Sequence, residues 1–151
     1  EKRGFKLFTT DYNPFFPDKS GADCEHCHGG SNFENDRYMN NGLDGTGEFQ
    51  DDGREKATMQ AKDKGKFKVT SLRNIELTAP YMHDGRFSSL AEVIEHYNSQ
   101  IKESPTLDPA LDQTREKGLF LSVQDKIDLI AFLKTLTDKD LMTNPEYATP
   151  F

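Results

Sequence analysis

The sequence predicts a mainly α-helical domain with long loops, and three observations carry that reading. Two segments open on a serine cap and continue with apolar residues at helical spacing, one from Ser89 and one from Ser122. No segment alternates apolar and polar residues over the length of a strand. The only two cysteines lie in Cys24-Glu25-His26-Cys27-His28, the spacing at which two thiols add to the vinyl groups of one haem and the following histidine becomes the proximal iron ligand. A covalent haem gives a chain with few apolar side chains a large apolar disc to pack against.

Taken in order, the elements support this class. Residues Glu1 to Thr10 read as a short helix with Phe5, Leu7 and Phe8 among charged residues, stopped by Asn13-Pro14. Gly4 lets a second helix cross close by. From Gly29 to Lys68 there is almost no periodicity, and Asn40-Asn41-Gly42, Asp44-Gly45-Thr46-Gly47 and Asp51-Asp52-Gly53 punctuate turns. The Asp-Gly clusters lack the terminal glutamate of an EF-hand loop at its required distance, so they read as loop. The Ser89-Leu90-Ala91-Glu92 capping box opens a helix whose stripe is Leu90, Val93, Ile94, Tyr97 and Ile101, ended by Pro105 at the latest. Ser122 caps another, running to about Thr137, with an apolar set wide enough to meet the N-terminal helix on one side and the haem on the other. The whole chain, 1–151, reads as one domain, with an irregular tail over 138–151. Helix, haem motif and closing helix follow in cytochrome c order, so the fold class is a cytochrome c-like single haem domain.

The cysteine pair alone would be weak, because zinc sites and redox motifs share it. Zinc would need further ligands, and the chain has no third cysteine. A surface pair forming a disulfide is the other alternative, but it does not account for His28. Composition narrows partners further. Only 34% of residues are hydrophobic, 30% are charged, and the formal charge is −7 with a pI near 5.1. Such a chain would be repelled by nucleic acid phosphates, whereas a basic redox partner remains compatible. No run reaches the length of a membrane span. No apolar leader precedes the domain, as expected of a mature chain or one cut from something longer. Haem c is attached outside the bacterial cytoplasm, so the motif implies a periplasmic or secreted protein.

The stretch Phe67-Lys68-Val69-Thr70-Ser71-Leu72-Arg73-Asn74-Ile75-Glu76-Leu77-Thr78-Ala79-Pro80-Tyr81-Met82-His83-Asp84-Gly85-Arg86-Phe87 resembles the second haem domain of the bacterial di-haem cytochrome c peroxidases and of their relative MauG. The opening from Gly4 to Phe8 and the run Leu129-Ile130-Ala131-Phe132-Leu133-Lys134-Thr135-Leu136-Thr137 extend the likeness over most of the chain. The resemblance implies a six-coordinate haem that accepts and stores electrons, with peroxide reduced at a haem in a first domain. The bridging tryptophan and the peroxide-side acid belong to that first domain, so no residue here inherits their roles. Thr78 and Pro80 match positions that help bind a structural calcium between domains, and the site would be incomplete without its partner ligand. Arg73 matches a family arginine suited to a haem propionate, with a plain surface arginine as the alternative. His83 reads as structural.

The sixth iron ligand is a choice among several side chains. Met39, Met59, Met82 and Met142 are the methionines. His96 points about 120° away from the apolar stripe at about 100° per residue, while Tyr97 lies near its centre. The resemblance implies an axial ligand at the Tyr97 position, methionine in the cytochrome c peroxidases and tyrosine in MauG. Tyr97 is therefore the expected ligand and Met82 the alternative, with an open iron or a core tyrosine as further readings. The expected function is a haem c electron-transfer domain working with a redox partner protein or an upstream haem domain, with little peroxidase activity of its own. The competing readings are an independent open-site peroxidase using His83 or Glu95 as acid/base, and a structural or sensory haem module.

Overall fold

The computed structural model describes residues 1–149. It is mainly helical, and its architecture is set by the meeting of the first and fifth helices. Helix α1 (Lys2–Thr9) lies across α5 (Val123–Lys134). Gly4 is at the crossing, where a Cβ would fall 1.9 Å from the Asp128 carbonyl oxygen, so only glycine allows the approach. Phe8, 2% exposed, packs edge-on against Phe33 and Phe132 with centroids 5.9 and 5.2 Å away. Arg3 fixes the register by pairing with Asp125 and Asp128. Asp125 also closes the capping box of α5: Ser122 N–H donates to its carboxylate at 2.8 Å, and its own N–H donates to Ser122 Oγ at 3.2 Å.

Helix α3 (Leu90–Ser99) brings the expected stripe into the same core, with Leu90 and Ile94 buried against Leu129, Phe132 and Leu133. Its cap departs from the expected box by one residue. Ser89 Oγ accepts from Glu92 N–H, but the Glu92 carboxylate accepts from the Ser88 N–H instead of the Ser89 N–H. The helix ends at Ser99, before Pro105, and Ile101 is nevertheless buried, with Gly42 packed against it. Helix α5 stops at Lys134 and continues as turns to Thr137.

Helix α4 (Pro109–Arg115) was not foreseen. Its signal is present in Asp108-Pro109, where Asp108 caps the Ala110 N–H at 3.0 Å and proline takes the first position. The loop from 29 to 68 contains the short helix α2 (Glu55–Thr58) and strand β1 (Tyr38–Met39), which pairs antiparallel with β2 (Phe67–Lys68). Side chains hold the rest of that loop. Asn40, 2% exposed, donates to Ser104 Oγ and Thr106 Oγ1, both at 2.9 Å, and accepts from Gly42 N–H. The tail differs from the irregular chain expected over 138–151. Asp138 and Asn144 cap successive turns, giving α6 (Lys139–Thr143) and a 3-10 turn at Pro145–Tyr147; residues 150–151 lie outside the described residues. Among the described residues no helix is long and apolar enough to cross a membrane.

Candidate haem site

The cysteine motif sits where α1 hands the chain to the core. Ala22 N–H donates to the Leu7 carbonyl and Asp23 N–H to that of Thr10, which delivers Cys24 to the core margin. Asp23 adopts a left-handed conformation and starts a 3-10 turn, Cys24–His26, closed by His28 N–H donating to Cys24 O at 2.9 Å. This single turn brings both thiols and His28 together. The cysteines are free, and burial pushes both thiols up to about 12, so they are neutral in the folded chain.

His28 shows the donor geometry of an iron ligand. Its Nδ1 lies 3.2 Å from the carbonyl oxygens of both Phe33 and Thr70. Carbonyls only accept, so Nδ1 carries the proton and Nε2 presents a lone pair. Burial lowers the imidazole pKa and keeps the ring neutral. The two acceptors come from segments that are themselves tied: Leu72 N–H donates to Phe33 O, Ser71 Oγ–H to Asn32 O, and Asn35 Nδ2–H to Cys27 O. A haem c fits this set: two unpaired thiols, and one neutral imidazole oriented through its far nitrogen. Zinc does not, because among the described residues no three His, Cys, Asp or Glu side chains converge to hold a metal ion.

Tyr97 is half-buried against the same core. Burial pushes its phenol up to about 12, and both cysteines are near enough to add to that shift electrostatically. Met82 lies in the same cluster. Asn41 Nδ2 reaches both, 3.5 Å from Tyr97 Oη and 3.4 Å from Met82 Sδ. Met82 is held at φ 73° in a loop closed by Tyr81 and Phe87 and braced by Arg86, which bonds Asp44 at 2.7 Å and the Leu43 carbonyl at 3.1 Å. The structure thus brings Tyr97 and Met82 together. Of the other methionines, Met39 touches Cys27 Sγ at 3.4 Å, while Met59 and Met142 are exposed.

His96 packs on a second side of α3. It lies off the apolar stripe, yet it is 2% exposed, because the 40–44 segment covers that face of α3. Its Nε2–H donates to the Asn41 carbonyl at 3.0 Å, so it is a buried structural histidine. Arg73 is exposed; it donates to the Ser31 carbonyl at 2.6 Å and lies over the Phe33 ring, beside the loop that holds His28. Thr78 and Pro80 occupy an exposed segment after the turn at Ile75–Leu77. His83 is exposed and stacks on Phe67, and Glu95 is bound to Lys126, so the two suggested acid/base groups are engaged elsewhere. Sequence reasoning missed Asn41, Phe33 and Thr70. The first was read as turn punctuation, and the other two act through their backbone, which no side-chain motif encodes.

No protein-family model matches the chain. Among curated proteins it is similar to the cytochrome-c peroxidase IdrP1 of Pseudomonas sp. (strain SCT), 30% identical over 99% of this chain and 43% of that protein. The methylamine utilization protein MauG of Methylorubrum extorquens is 33% identical over 89% of this chain and 34% of its own length. The cytochrome c551 peroxidase of Nitrosomonas europaea is 33% identical over 83% and 33%. Among solved structures, a MauG-like protein associated with microbial copper homeostasis superposes with a TM-score of 0.74 at 33% identity, over 99% of this chain and 47% of that one. The chain spans less than half the length of each of these relatives.

Proposed function

Because the chain belongs to the di-haem cytochrome c peroxidase/MauG family, we propose that it is a haem c electron-transfer domain corresponding to the second, C-terminal haem domain of those proteins. One observation carries the reading: the His28 imidazole is fixed by two backbone carbonyls with Nε2 left free, in the same turn as two free thiols, and the half-buried Tyr97 lies near those thiols. Cys24 and Cys27 would hold one haem covalently, His28 would be its proximal ligand and Tyr97 its distal ligand, with Met82 second in line. The bound haem supplies a one-electron Fe(III)/Fe(II) couple. The protein's part is to orient His28, exclude water with the Phe8, Ile94 and Leu129 core, and supply an anionic oxygen from Tyr97. Such an oxygen is a harder donor than a thioether and favours Fe(III).

On this reading the chain stores and passes single electrons in a periplasmic or secreted setting, and exchanges them with a redox protein or an upstream haem domain. Peroxide reduction would belong to that other domain. Arg73 would approach a propionate, and Thr78 with Pro80 would contribute part of a calcium site completed by another domain. The test is expression alongside a haem-attachment system. A pyridine haemochrome assay is expected to give one haem per chain with both vinyl groups saturated, and the ferric spectrum to lack the sulfur-to-iron band of a methionine ligand. Tyr97→Phe is expected to shift the ferric iron towards high spin. Zinc in place of haem would sink the proposal, as would fast peroxide turnover by the isolated chain.

A further inference from the structure

Asn41 is placed with more care than a loop residue needs. Its backbone carbonyl receives the Nε2–H of His96, a fully buried ring on the helix that carries Tyr97. The residue before it, Asn40, is pinned by Ser104 and Thr106, and the residue after it, Gly42, has a φ of 68° that commits the chain to its turn. With the backbone fixed on both sides, the side-chain amide points one nitrogen at two candidate ligands, Tyr97 Oη and Met82 Sδ. An amide NH₂ has two protons, so it can serve both acceptors.

We propose that Asn41 is the positioning residue that selects Tyr97 over Met82 as the axial ligand and tunes the strength of the Tyr97 oxygen as a donor. The proposal rests on the Tyr97 ligation given above. A proton directed at the Met82 sulfur takes up one of its two lone pairs and weakens an already soft, neutral donor, whereas a phenolate oxygen keeps its charge and further lone pairs for a metal. Met82 also sits in a loop fixed by its left-handed backbone and by Arg86. A proton directed at the Tyr97 oxygen draws negative charge away from it. A phenolate with that hydrogen bond binds Fe(III) less tightly than one without, so Asn41 raises the reduction potential from the low value that an unassisted phenolate would set. Because His96 holds the Asn41 main chain, replacing the side chain leaves the lock between the loop and α3 in place.

The experiment compares the holo-protein with Asn41→Leu, Tyr97→Phe and the double variant, reading the ferric spectrum, the reduction potential by redox titration and the thermal midpoint. In Asn41→Leu the equilibrium constant for one-electron reduction is expected to fall about tenfold, or about 59 mV. The phenolate-to-iron band is expected to move to longer wavelength. In the Tyr97→Phe background the same replacement is expected to change the potential less than about twofold on that scale, since the acceptor has gone. If Tyr97→Phe alters the spectrum but Asn41→Leu alters neither spectrum nor potential, the role given to Asn41 is overturned and the ligand assignment stands. An equal shift in both backgrounds overturns it too, because Asn41 would then act through the fold. If Tyr97→Phe changes nothing, the ligand assignment itself fails and this proposal with it. Asn41→Ser, shorter and polar, gives the same readings if the leucine variant does not assemble.

Discussion

From Cys24 to Phe33 the chain builds the His28 side of the site from neighbours in sequence, tied to one other contiguous segment, Thr70 to Arg73. The Tyr97 side is assembled from residues 41 and 56 positions apart, each brought in by a different buried polar contact. The two halves therefore fail differently. A contiguous turn depends on local backbone hydrogen bonds, whereas the assembled half depends on Asn40, His96 and Arg86 all being satisfied at once. Buried polar networks of this kind specify a unique arrangement only when every member finds its partner.

The largest expected effect lies on the local side. His28→Ala removes the side chain proposed for the proximal position, and is expected to abolish the low-spin spectrum while both thioethers still form. Mass spectrometry for attached haem, beside the absorption spectrum, checks this. A normal spectrum in that variant would mean that another residue takes the position, and the contrast between the halves would collapse.

That contrast also explains what could be read without coordinates. The capped helices α3 and α5, the close helix approach at Gly4 and the haem motif were legible because each is written in consecutive residues: a serine three before an acid, a glycine before an aromatic, two cysteines and a histidine. The helical stripe turns Tyr97 towards the core, its place as a candidate ligand comes from the family resemblance, and Asn41 reaches both it and Met82. Asn41 was invisible, since an asparagine before a glycine is the ordinary mark of a turn. His96 lies off that stripe as the wheel places it, and its partner there, the Asn41 carbonyl, carries no mark in the sequence. The carbonyls of Phe33 and Thr70 carry no signal at all in side-chain chemistry.

A smaller effect sharpens the comparison on the assembled side. Asn40→Ala leaves buried Ser104 and the Gly42 N–H without their partner, while Thr106 keeps its bond to the Lys64 carbonyl, and unpaired buried groups cost about 1–3 kcal/mol. Urea unfolding is expected to show a loss in that range with an unchanged slope. A loss below about 0.5 kcal/mol, the usual limit for an uninvolved surface change, would mean that the loop is held by something other than this side chain.

The smallest effect concerns the tie between α3 and α5. Hydrogen bonds from Lys126, Ser99 and Asn98 hold the Glu95 carboxyl down at about 2, against an ordinary 4.5. A depressed carboxylate stabilises the fold above the unfolded value and loses that contribution as pH falls through the folded one. The loss therefore runs from about pH 4.5 down to about 2. The pair is more than a third exposed on the glutamate side, so screening limits its worth to less than about 1 kcal/mol. Glu95→Gln is expected to lower stability by up to that amount near neutrality and to flatten the profile between about pH 4.5 and about 2, where the two curves converge. A difference that persists undiminished at about pH 2 would contradict the pairing.

The crossing of α1 with α5 has a consequence for how fast the molecule assembles. Arg3 and its partner Asp128 are 125 residues apart, so nearly the whole chain must be looped before Gly4 and Phe8 find their seats. Closing a loop of that length costs about 4 kcal/mol in chain entropy, and contacts so distant in sequence slow folding. The turn from Cys24 to His28 needs no such search. The attachment turn is therefore expected to form before the α1–α5 clasp, which would leave an interval in which the thiols are open to reaction before the core at their margin closes.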